Sequence, residues 1–224
     1  MTDVLVQYFR NVPDELKTDL LVMVSSSLIR LNRDQEAYNY LKHWMSRYTD
    51  QDLPEPSQPK IFWNKIDHDL LEAPQVFIDE SPSAAVMGTF FLLKLRFFLG
   101  LRTAQEWKKE TGVDMDQEAI DVGRKSGLGP ITKELIENGK LEGTINQLRH
   151  QLGQIYISVE VRQSDFWTQL PLAHQDPEPR HDGSGLEIYP ELHCYRAFAE
   201  TERGLESLQK FNDLVEMMDA AKER

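Results

Sequence analysis

Between Ala84 and Leu101 the chain carries only two charges, Lys94 and Arg96, in an otherwise strongly apolar run. Val86, Met87, Phe90, Phe91, Leu92, Leu93, Leu95, Phe97 and Phe98 leave no continuous polar face, and a helix of that kind has to be surrounded by others. The run is nearly long enough to span a bilayer. Lys94 and Arg96 would each cost roughly 2.5–3.5 kcal/mol at a bilayer centre, so a buried helix in a soluble protein is the reading. The pattern predicts a central helix over about 83–101, ended at Gly100 and Arg102-Thr103, with a short helix continuing from Ala104 to Lys109.

A buried helix needs partners, and the preceding residues supply a pair. A helix begins at Pro13-Asp14-Glu15, where proline suits the first turn and acids suit the positive end of the helix dipole. Leu16, Leu20, Val24, Leu28 and Leu31 recur at helical spacing. A second stripe follows: Ala37, Tyr38, Leu41, Trp44, Met45 and Tyr48. Only the polar turn around Asn32-Arg33 separates the two, which forces an αα-hairpin. Ser25, Ser26 and Ser27 suit either close helix packing or an exposed face.

After the central run, Leu141, Ile145, Leu148, Leu152, Ile155 and Val159 alternate steps of four and three. That heptad-like seam predicts a helix packed along a partner helix, within the chain or in a dimer. Tyr156 to Val161 comes closest to strand alternation, but the same seam runs through it and helix is preferred. Further helices are predicted over Asp116–Lys125, Ile131–Glu137, Glu191–Glu200 and the stripe from Leu205 to Met218. Thr49–Lys60, with Pro54, Pro56 and Pro59, and Pro171–Pro190 are proline-rich loops. Gln75–Glu80, bracketed by Pro74 and Pro82, reads as extended or irregular. Four similar turn-and-stripe starts, near Arg33, Arg102, Lys140 and Arg203, are too unevenly spaced for a regular solenoid. The expectation is an all-α single domain over 1–224. It would be an irregular bundle of antiparallel helical hairpins, loosely tetratricopeptide-like, around a buried central helix.

The 224 residues carry a formal charge of -12 and no long basic run. Phosphate contacts need clustered Lys and Arg, so neither nucleic acid nor an anionic membrane is an expected partner. Cys194 is the single cysteine, which excludes an internal disulfide and a thiolate zinc cluster. With no apolar leader at the N-terminus, this predicts a cytoplasmic or nuclear location.

No catalytic, cofactor or metal residues are assigned. His174, His181 and His193 lie near Asp176, Glu178, Asp182 and Cys194 without a ligand spacing, which is what a polar loop produces. His193-Cys194 reads as a buried structural thiol beside a histidine. Gly127-Leu128-Gly129-Pro130 lacks the lysine and hydroxyl of a phosphate loop and reads as a turn. Asp34 and Glu36, beside Arg30 and Arg33, are helix-start acids. Tyr40 and Trp63 fall off the core stripe, so they either cover the hairpin or mark a contact surface. Leu148 and Leu152 on the seam are the first suspects for self-association.

Leu31-Asn32-Arg33-Asp34-Gln35-Glu36-Ala37-Tyr38, followed by Leu41-Lys42 and Trp44, resembles a segment of a fungal protein family. That family often carries a MYND-type zinc finger, sometimes with ankyrin repeats. Phe91-Leu92-Leu93-Lys94-Leu95-Arg96-Phe97-Phe98-Leu99 is similar to a second segment of it, in the same order. The resemblance implies the helical part of such a protein without its finger, because a finger needs many Cys and His ligands. Together these observations predict a non-catalytic, intracellular interaction or scaffold protein that binds a protein partner or a second copy of itself. The alternative is an all-α enzyme with an apolar pocket beside helix 83–101. No DDxxD-like acidic cluster for a metal-bound diphosphate is present, which weighs against an isoprenoid version of it.

Overall fold

A computed structural model describes residues 14–49, 69–80, 83–111, 134–173, 180–181, 187–188, 190–201 and 203–212, and the structural statements made here concern these residues. The elements run α1 (Asp14–Arg30), α2 (Asp34–Thr49), α3 (Gln75–Glu80), α4 (Ala84–Thr111), α5 (Leu141–Arg162), α6 (Phe166–Gln169), a 3-10 turn (Leu170–Leu172), β1 (Arg180–His181), β2 (Glu187–Ile188) and α7 (Pro190–Glu200). Helical stretches at 134–137 and 204–212 complete them. The fold is predominantly helical, and its strands are a two-residue antiparallel pair with Arg180 opposite Ile188.

The central helix of the bundle is α4, which packs against α1, α2, α3, α5 and α7. By length and composition it is apolar enough to cross a membrane, yet 78% of its most apolar 18-residue window is buried inside the fold. It does not stop at Gly100. Leu101 and Ala104 continue the buried face begun at Phe97, so packing outweighs the roughly 1 kcal/mol penalty of a helical glycine. The predicted end near residue 101 and the separate helix after it are thereby corrected.

Two further expectations change. Gln75–Glu80 is helical, not extended: Pro74 sits where its missing N–H costs nothing, and the Ile78 N–H donates to Pro74 O at 3.0 Å. The turn drives Phe77 into the core. The Leu141–Val159 seam faces inward, with Ile145, Leu148, Leu152, Ile155 and Val159 all buried, and α5 lies along α4. Its partner helix is therefore within the chain.

The first hairpin forms, but the buried face of α1 departs from its predicted stripe: Leu20, Leu21, Val22 and Ile29 are buried, Val24 and Leu28 are half-buried, and Leu31 is 62% exposed. The turn has an identifiable cause. Asn32 adopts a left-handed φ of 56°. The Arg33 N–H donates to Leu28 O (2.9 Å) and the Asn32 N–H to Ile29 O (2.8 Å), the paired bonds of a Schellman cap. Gly139, with φ of 65°, closes the 134–137 turn with the same pair of bonds before α5. Arg203, with φ of 60°, precedes 204–212. Three of the four look-alike starts thus follow a left-handed residue, and the fourth, near Arg102, is interior to α4. Ser25 and Ser26 are fully buried on α1, which packs closely on α7, as close helix packing requires, while Ser27 is half-buried. The predicted loop at Thr49–Lys60 and the helix at Asp116–Lys125 lie outside the described residues, except for Thr49 at the end of α2.

Candidate functional site

The two charges that interrupt the apolar run turn out to organise the interior. Lys94 is fully buried and lies with its ammonium 5.5 Å from the Phe90 ring centroid and 5.9 Å from that of Tyr38. It donates to the main-chain oxygens of Leu70 and Glu72, the latter at 2.9 Å. Burial pulls it down to about 8, against the opposing pull of Glu72 and Asp69. The intervening carbonyl, Leu71 O, accepts from the side-chain amides of Gln147 (3.0 Å) and Gln151 (2.9 Å) on α5. The Glu72 carboxylate accepts from the Tyr38 hydroxyl and pairs with Lys42, both on α2. Burial and the neighbouring carboxylate push Tyr38 upward, so the phenol stays protonated. Residues 69–72 are thus bonded to three helices, and Phe77 stacks on Phe90 with centroids 3.8 Å apart.

Two residues further along α4, Arg96 organises a second cluster. Its Nε donates to both oxygens of Asp34, at 2.9 and 3.1 Å, and its NH groups reach Asn32 Oδ1 (2.9 Å) and Thr201 Oγ1 (3.0 Å). Asp34 is buried. Desolvation pushes it up to about 6 although the Arg96 charge and hydrogen bonds oppose this. The left-handed Asn32 is therefore tied to the ion pair, which explains an asparagine at a position glycine would otherwise suit. Arg30 and Glu200 form a more exposed pair at the same junction.

Among the described residues, the candidates named from the sequence do not form an exposed surface. Tyr40, Leu148 and Leu152 are core residues, exposed by 5% or less. The suggestion that they form an interaction face is corrected: Tyr40 packs in the core cluster, and the two leucines are fully buried on α5, which lies along α4. Trp63 lies outside the described residues, as do His174, Asp176, Glu178, Asp182 and the Gly127–Pro130 turn. Tyr38 is fully buried and Trp44 packs on the core, as their stripe implies. Cys194 is fully buried and its thiol is pushed up to about 12 by burial, which makes it an inert structural group. Gly88 leaves room for the Phe166 ring beside that thiol; a Cβ there would come within 2.7 Å of it. His193 is held below its usual value by desolvation and by Arg196 and Arg30. Among the described residues, no three His, Cys, Asp or Glu side chains converge as a metal site requires.

In the sequence, Lys94 and Arg96 bear only on membrane insertion and Asp34 only on a helix start. An acid at the start of one helix and a cation inside an apolar helix were the available signal. Their pairing, 62 residues apart, needs the tertiary structure.

No family model, no curated protein and no solved structure matches this chain.

Proposed function

We propose that this chain is a non-catalytic, intracellular helical protein that works by holding other proteins. What carries the reading is the use made of its buried charges. Lys94, Arg96 and Asp34 each close a tie within the chain, and the Lys94 ammonium donates to two main-chain carbonyls. Charges used in this way stabilise a scaffold and are poorly placed to touch a substrate. The irregular hairpins, loosely tetratricopeptide-like, and the resemblance of residues 31–44 and 91–99 to fungal helical segments agree with it. A contact surface is available on the outer side of α5, where Ile157 and Val161 stand one turn apart and are 58% and 82% exposed. This pair replaces Tyr40, Leu148 and Leu152, which are buried, in the suggested surface.

The test is capture from native extract with the wild type and with Ile157→Glu/Val161→Glu. A partner identified by mass spectrometry that binds the first and not the second, with unchanged helicity in both, supports the reading. Equal capture by both removes α5 from it.

The rival, an all-α enzyme with an apolar pocket beside α4, has one observation in its favour. A buried lysine drawn to about 8 is the kind of amine that attacks carbonyls. Mild treatment of the native protein with an aldehyde and borohydride separates the two. The scaffold reading expects the exposed Lys108, Lys109 and Lys140 to be modified and Lys94 to be spared. Preferential labelling of Lys94 would establish the rival.

A further inference from the structure

Residues 69–80 are held mainly by side chains of other helices. The carbonyls of Leu70, Leu71, Glu72 and Ile78 accept from Lys94, from Gln147 and Gln151, from Lys94 again, and from Arg162. The Glu72 side chain is taken by Tyr38 and Lys42, and Phe77 is stacked on Phe90. These are contacts of the kind a receptor makes with a bound peptide: donors for its main chain, a cation and a hydroxyl for its acid, an aromatic slot for its ring. The receptor groups belong to α2, α4 and α5. Two of those helices, α4 and α5, pack extensively on each other independently of the segment.

We propose that residues 69–80 are an intramolecular ligand, a latched strap. The surface beneath them would then be a receptor for a partner peptide of the same chemistry: a turn with inward carbonyls, an acidic side chain and an aromatic ring five residues further on. The strap competes with that partner, so binding requires its release. The apparent affinity of the wild type is reduced by the small fraction of molecules with the strap open. This deepens the interaction reading by naming a partner class. It uses a different surface from Ile157 and Val161, so either can fail alone.

The experiment uses the full chain and a fluorescent peptide with the sequence of residues 69–80. Glu72→Gln/Phe77→Ala weakens the strap from its own side and leaves the receptor groups intact. Anisotropy should show this variant binding the peptide at least about tenfold tighter than the wild type does. Adding Lys94→Met should abolish the gain. Equal binding by wild type and variant, or no binding by a variant of normal helicity, overturns the proposal. Should the double variant fail to fold, hydrogen exchange on the wild type decides. The strap amides are expected to exchange together and faster than those of α4 and α5; exchange at the rate of α4 overturns the proposal.

Discussion

At the scale of single residues, Lys94 shows how one side chain can be both costly and necessary. A buried ammonium is disfavoured, yet removing it strands two inward carbonyls at about 1–3 kcal/mol each. Lys94→Met should therefore destabilise the protein at neutral pH by a few kcal/mol. The pH dependence identifies the cause. Lys94 sits at about 8 in the fold against 10.5 unfolded, so between these values the unfolded chain holds the extra proton. Burial holds Cys194 and Tyr38 protonated and so acts in the opposite sense above about pH 9, and Lys94 is read from a difference. The stability advantage of the wild type over Lys94→Met should grow by on the order of 3 kcal/mol as pH rises through this window, and be lost as pH falls back through 8. Lys94→Met alone should lose stability above about pH 9, where the unfolded Cys194 thiol ionises and the buried one does not. Urea titrations at pH 7.5 to 10.5 measure both. A backbone prediction belongs at this scale too. Arg203 is exposed and holds a left-handed φ, so Arg203→Gly should stabilise by about 0.5–1 kcal/mol, read as a rise in Tm.

Among the elements, α5 separates what periodicity can establish from what it cannot. Its four-three spacing identifies a helix with a packing seam, and both features are present. The pattern is the same whether the seam meets another segment or another molecule. Here α4 occupies it, because a helix apolar on most sides needs neighbours. Leu152→Ala should accordingly cost about 2–5 kcal/mol in unfolding free energy, with no change in mass by light scattering at native conditions. A drop in mass with unchanged stability would return the seam to an intermolecular role. The short α3 is illegible in the sequence for a different reason: Pro74 and Pro82 mark boundaries without saying what lies between them.

For the whole molecule, Arg96 matters most because it joins parts distant in the chain. It bonds the α1–α2 turn at Asn32 and Asp34 and the end of α7 at Thr201. Breaking a buried pair leaves an uncompensated charge, so Arg96→Met, which strands Asp34, should cost about 3–5 kcal/mol at pH 7. The neighbouring Arg30–Glu200 pair is more exposed, and Arg30→Ala should cost under about 1 kcal/mol. Comparing the two by denaturant unfolding separates a buried junction from a surface contact. Asp34 adds a sign: raised to about 6 in the fold against 3.8 unfolded, it contributes stability that is fully present below 3.8 and lost as pH rises through 6.

Helical class, the first hairpin and its turn, the central apolar helix and the seam of α5 were legible in the residues themselves. They rest on local spacing, caps and burial demand, which act within a few residues. Partner choice was not legible. Which helix fills a seam, whether Tyr40 faces in or out, and that Asp34 waits for Arg96 depend on how distant segments meet, and local periodicity carries no record of that. The same is true of the strap: its second half, Gln75–Glu80, reads as extended or irregular between Pro74 and Pro82. Only the converging side chains of α2, α4 and α5 make it a bound segment.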